Sequence, residues 1–141
     1  MAGKSTYTEE IGKQICDAVS SSTDGLGDII IKNTHFPCQA TIYKWINDHP
    51  SFSDMYANAK RAQAAIFADE IVKIADDERG DHIVDGEGKV MMNSVKVARD
   101  RLRIDTRKWI ACKLLPKVYG QTKPASNEDE DTLISQVVDK L

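Results

Sequence analysis

Residues 51–78 read SFSDMYANAKRAQAAIFADEIVKIADDE, and neither Pro nor Gly interrupts them. Phe52, Met55, Tyr56, Ala59, Ala62, Ile66, Phe67 and Ile74 recur there at the spacing of one helical face. At 1.5 Å per residue the predicted helix is roughly 40 Å long. The 50 residues before it are too few to cover such a rod, so another long element must lie against it.

That element is predicted at residues 94–115, stopped by Pro116. It carries two apolar lines: Val95, Ala98, Leu102 and Trp109 on one side, and Val97, Ile104, Ala111 and Leu115 on the other. One line closes an antiparallel helical hairpin. The other needs a further surface, either the upstream module or a second copy of the chain. Between the two helices, residues 82–91 set an Asp85-Gly86 turn signal between short apolar pairs, which predicts a small β-hairpin at the tip.

Upstream, residues 1–51 predict three short helices. The first follows a Thr6-x-x-Glu9 capping-box pattern and repeats Ile11, Ile15, Ala18 and Val19 at helical spacing. The second is predicted at Leu26–Lys32, with Ile29 and Ile30 as its buried pair. Pro37 biases Phe36 away from helical backbone, and the third helix runs over about residues 38–49 with Cys38, Ile42, Trp45 and Ile46 inward, ended by Pro50. Helix, short helix, turn, helix is the order of a helix-turn-helix module. Downstream, residues 117–123 suit a C-terminal β-strand that pairs with other copies, and residues 124–131 read as an acidic linker. Leu133, Ile134, Val137, Val138 and Leu141 close the chain with an amphipathic stub too short to stand alone. The fold class is thus mainly α, divided as 1–51, 52–116 and 117–141.

Net charge is −3 over 141 residues, so charge alone does not announce a nucleic-acid binder. Its distribution is uneven. Residues 1–51 hold 4 Lys and Arg against 6 Asp and Glu, whereas residues 94–120 hold 8 against 2. The first module alone should therefore grip phosphate weakly. No apolar run is long enough to span a bilayer, and residues 1–8 lack a basic-plus-apolar signal. Cys16, Cys38 and Cys112 are widely spaced, which suits buried thiols in a reducing compartment.

Several blocks resemble one family. They are Tyr7-Thr8-Glu9-Glu10, the run Ala40-Thr41-Ile42-Tyr43-Lys44-Trp45-Ile46 with His49-Pro50-Ser51-Phe52, and Arg103-Ile104-Asp105-Thr106-Arg107-Lys108-Trp109 followed by Pro116-Lys117-Val118-Tyr119-Gly120. Together they are similar to the terminase small subunits of tailed phages and prophages, over roughly residues 7–121, with the last two blocks the most specific. The resemblance implies a ring-shaped homo-oligomer in the cytoplasm of the bacterial host. It would select double-stranded viral DNA for packaging and bring it to the terminase large subunit, which holds the ATPase and the nuclease. One departure stands out: Cys38-Gln39 replaces the small polar pair that commonly precedes the Thr, which leaves base reading open.

The third helix exposes Thr41, Tyr43, Lys44 and Asn47, with Gln39 at its start and Lys32 at the end of the helix before it. Gln and Asn can meet adenine, and Lys guanine or phosphate, though the same face could be merely solvated. The cluster Arg99, Arg101, Arg103, Arg107 and Lys108 is expected to bridge copies through Asp69, Glu70, Asp76 or Asp77 of the other long helix, with Ile104 in the same surface. Exposed intrahelical pairs or a DNA-lining channel are the other readings. Leu133, Ile134, Val137 and Val138 are the candidate docking face for the large subunit.

Catalytic and metal chemistry find little support. His35, Cys38 and His49 match no zinc spacing. Asp76, Asp77 and Glu78 are adjacent on a helix and point to different faces. Gly3-Lys4-Ser5 lacks the upstream glycine and strand of a phosphate loop. A non-enzymatic adaptor without a cofactor is expected. A dimeric helix-turn-helix transcription regulator and a structural oligomer that never touches DNA are its rivals; a two-chain mass, or no duplex binding at low salt, would favour them respectively.

Overall fold

The computed structural model describes residues 6–120. Its elements are α1 (Glu9–Ser20), α2 (Leu26–Lys32), α3 (Gln39–Asp48), α4 (Pro50–Asp76), β1 (His82–Val84), β2 (Val90–Met92), α5 (Ser94–Leu114) and α6 (Pro116–Tyr119). The expected helical hairpin with a β ribbon at its tip is present, and the three-helix module precedes it.

Local chemistry explains the boundaries. Thr8, rather than Thr6, caps α1: its Oγ1 accepts the Ile11 N–H at 3.3 Å, and Glu9 and Glu10 sit where the helix dipole favours anions. Pro50 closes α3 and opens α4, because a proline at the first helical position gives up only an amide that would go unpaired. Asn93 caps α5 by accepting the Lys96 N–H at 3.2 Å. Pro116 likewise starts a helical turn, so residues 116–119 form α6 and not the strand expected from residue 117 onward. The rest of that stretch, the acidic linker and Leu133, Ile134, Val137 and Val138 lie outside the described residues.

The core of the module gathers Ile15, Val19, Ile29, Ile42 and Trp45 around Phe52, which is fully buried. Met55, Tyr56 and Ala59 complete it, so the boundary expected at residue 51 falls inside the packing. Tyr7 lies over this core, stacked on His49 at 4.1 Å between ring centroids and edge-on to Trp45 at 5.3 Å. Gly12 makes room for it, since a Cβ there would stand 2.9 Å from the Tyr7 ring and 3.1 Å from Phe52. α4 therefore serves both halves: its first turns belong to the module, and its later turns pair with α5.

α4 departs from its expected apolar face. Ala62 is exposed, while Gln63 is buried with 1% of its surface accessible. Its amide nitrogen donates to the carbonyls of Ser22 at 2.9 Å and Asp24 at 3.0 Å, and its oxygen accepts from Lys60 at 2.7 Å. This fastens the α1–α2 turn to α4. Farther along, Arg107 donates to Glu70 at 2.7 Å and lies over the Phe67 ring at 5.7 Å. Near the tip, Lys96 bonds Asp100 at 2.7 Å, Asp81 at 2.8 Å and the Asp77 carbonyl at 3.3 Å; Asp100 and then Asp81 hold its ammonium pKa above the ordinary lysine range. Of the 21 residues of α5 only Ala111 is fully buried.

β1 and β2 pair antiparallel, His82 with Met92, Ile83 with Met91 and Val84 with Val90. Asp85 orders the turn by accepting the N–H groups of Glu87 and Lys89, both at 2.9 Å. The left-handed residue is Gly88, at φ 82°, and not the Gly86 of the Asp-Gly signal.

Candidate nucleic-acid interface

α3 is amphipathic, and Ile42 and Trp45 anchor one side of it in the core. The opposite side presents Gln39, Tyr43, Lys44 and Asn47 to solvent. Gln39 donates to the Tyr43 hydroxyl at 3.0 Å, one helical turn on, so the two polar ends are held as a pair. Thr41 is placed differently from the expectation: half-buried, its hydroxyl lies 3.3 Å from the Cys38 Sγ. That hydroxyl lowers the Cys38 pKa, and the first amides of α3 add to the effect. No side-chain hydrogen bond caps the helix start, but the Cys38 sulfur sits at its first amides. Lys32 is exposed but paired with Asp24 at 2.5 Å, and that pair holds its pKa above the usual range. Lys44 is thus the cation this face offers without an ion-pair partner among the described residues.

The hairpin residues divide. Arg107 and Glu70 form their pair within one chain, and Arg103 reaches Asp100 at 3.7 Å. Asp77 pairs with Arg79 at 2.8 Å, which holds its carboxyl far below the usual carboxylate range. Ile104 is half-buried and turned toward α4, where it lines a hollow with Ile74 and Val97. Arg99, Lys108 and Asp76 face solvent. The outer line of α5 is the other one: Val95, Leu102 and Trp109 are 76%, 55% and 63% exposed.

A basic-rimmed hollow was not legible beforehand. Arg61 from α4 meets Lys113, Leu114, Leu115, Pro116, Lys117 and Val118 around a space of about 570 Å³. Its residues lie 52 or more positions apart in sequence on one side, so no local pattern could reveal it. Among the described residues no group of three His, Cys, Asp or Glu side chains is placed to hold a metal ion, and no helix is long and apolar enough to cross a membrane.

A three-helix module with a solvent-facing third helix, carried on one arm of a helical hairpin, defines a helix-turn-helix-bearing scaffold. The sequence matches the family described as Bacteriophage Sf6, terminase small subunit-like over residues 7–126. Two crystal structures of point variants of the terminase small subunit gp1 of the bacterial virus Sf6 share the fold. The first is 33% identical with a TM-score of 0.68, covering 86% of this chain and 88% of that one. The second is 33% identical with a TM-score of 0.66, covering 86% and 83%. No curated protein matches. The chain belongs to the Sf6 terminase small subunit-like family, and family and fold place it among the terminase small subunits of viral DNA packaging.

Proposed function

We propose that this chain assembles into a ring of identical copies, recognises packaging-site duplex DNA through α3 and delivers it to the terminase large subunit, without catalysis of its own. The observation that carries the reading is the leftover apolar surface of α5: with one fully buried residue in 21, this helix lacks enough cover within a single copy. Burying a side chain such as Trp109 or Leu102 contributes about 1.5–3 kcal/mol. A neighbouring copy is the natural cover, because every copy carries the same deficit.

The DNA role rests on α3. Tyr43, Lys44 and Asn47 lie on its open face, and Gln39 lies at its start. One unpaired lysine gives a weak grip per copy. Several modules held on one ring raise the effective affinity by orders of magnitude without a new contact. Residues 1–51 with the first turns of α4 act as the DNA module, residues 52–116 as the assembling hairpin, and residues 117–141 as the tail. Leu133, Ile134, Val137 and Val138 dock the large subunit, and the site of action is the cytoplasm of the bacterial host.

Mass and salt dependence test this together. Sedimentation should give a mass of many chains, and the logarithm of the duplex binding constant should fall linearly with log salt. Lys44→Ala should reduce that slope by about 1 per engaged module. A two-chain mass with preference for a palindrome would replace the reading with a transcription regulator. Absence of duplex binding at low ionic strength would remove the DNA role.

A further inference from the structure

We infer that the β1–β2 ribbon of one copy seats on the outer stripe of α5 of the next copy, and that this contact, repeated head to tail, joins the assembly. The inference rests on the ring reading and names the surfaces that would make it.

The ribbon is the first of them. Its strands are three residues each and pack against neither long helix. A two-stranded ribbon of that size is marginal in water by itself. The register puts His82, Val84, Val90 and Met92 on one face, and Ile83 and Met91 on the other. Val84, Val90 and Met92 are the more exposed set, at 67%, 63% and 65%. An apolar face this open on a projecting ribbon has no cover within its own copy.

The stripe is the second. Val95, Ala98 and Leu102 line a shallow hollow of about 300 Å³ with Arg99 at its edge. They occupy the first turns of α5, directly after β2, so ribbon and stripe lie at the same end of the hairpin. In a ring all copies stand at the same height, so one copy's ribbon is level with its neighbour's stripe. The two are different surfaces, which makes the contact heterologous and suits closure by rotation. Charge agrees. Residues 81–93 hold 1 Lys against 3 Asp and Glu, while α5 is basic. Glu87 at the ribbon turn makes no ion pair among the described residues, and neither does Arg99. The seated ribbon would bring an acidic turn against a basic rim.

Sedimentation velocity on the full chain tests it with Met92→Asp and Leu102→Asp. Both side chains are more than half exposed in one copy, so the circular dichroism of each variant should match the parent. Each variant alone should fall from the assembled mass to a single chain, with at least a tenfold loss of association. An equimolar mixture should form pairs and stop there, because only one intact ribbon meets one intact stripe. As a second arm, Glu87→Arg and Arg99→Glu should each weaken assembly, and the combined variant should regain it. If the parent assembles and both Asp variants assemble equally well, the ribbon contact is wrong while the ring stands. A mixture that stays single-chain overturns the head-to-tail pairing. A parent that stays single-chain at high concentration removes the ring and this contact with it.

Discussion

Replacing Gln63 by Leu should cost about 2 kcal/mol, and the reason is hydrogen bonding rather than volume. Gln63 is 1% exposed and donates to two backbone carbonyls, those of Ser22 at 2.9 Å and Asp24 at 3.0 Å. Each such bond contributes about 1 kcal/mol net, and a part-buried carbonyl left without its donor adds to that cost. Leucine fills nearly the same space and recovers roughly 1 kcal/mol by burying carbon in place of amide. The balance of lost bonds, stranded acceptors and added carbon is near 2 kcal/mol for Leu. Gln63→Ala loses the same bonds and also opens a void, for about 3 kcal/mol. For a chain of this size the Leu loss should lower Tm by roughly 8 °C. Urea unfolding followed by circular dichroism is the assay, at one fixed protein concentration so that assembly does not enter the comparison. If Leu matches the parent within about 0.5 kcal/mol while Ala is costly, Gln63 is only a space-filler and the α1–α2 turn is held by something else.

Other outcomes follow from the same structure. The Tyr7 hydroxyl is buried without a partner, so Tyr7→Phe should leave stability unchanged or raise it by up to about 1 kcal/mol in thermal unfolding. Burial raises the Tyr56 pKa from 10.0 to about 12 and the Cys16 pKa from 9.0 to about 11. Both groups are held neutral by the fold, so their contribution is complete below pH 9 and is lost as pH rises through 11 and 12; an alkaline denaturation series should show stability falling across that window. Alkylation at pH 8 should modify exposed Cys38, whose pKa is lowered, well before buried Cys16, with mass spectrometry of the peptides as the readout. Trp45 is buried and Trp109 exposed in one copy, so Trp109 emission should shift to the blue on assembly in a Trp45→Phe background.

The helices were legible because punctuation marks them. Pro50 and Pro116 punctuate the long pair, and residues 51–78 run without Pro or Gly. Pro116 was harder: the same missing amide that ends one helix is tolerated at the start of another, so residues 116–119 turned helical. The two lines of α5 could not be ranked from sequence, since each has four apolar residues of similar character. Polar partners decided it. Arg107 finds Glu70, and Lys96 finds Asp81 and Asp100, which turns Ile104 and Ala111 inward and leaves Val95, Leu102 and Trp109 outward. Gln63 was invisible for a related reason, because a glutamine within a helical pattern reads as solvent-facing until its distant carbonyl acceptors are known. On α3 the open polar face was legible, but the Lys32–Asp24 pair and the burial of Thr41 needed the fold.

The placement of α4 would tie the proposed recognition to the proposed assembly. Phe52, at its start, is buried beneath α1 and α3, and Arg107 of α5 holds Glu70 nearer its other end. No Gly or Pro lies inside the helix after Pro50 to let one half swing against the other. A rod built this way fixes the direction of α3 relative to the hairpin. Modules on neighbouring copies would then face DNA at set intervals rather than at random. That matters because each α3 offers little free charge, and weak sites gain from multiplicity only when their spacing permits simultaneous contact. In the proposed ring, rigidity in α4 would let a net acidic chain act on a polyanion: the geometry of many copies would supply what the charge of one does not.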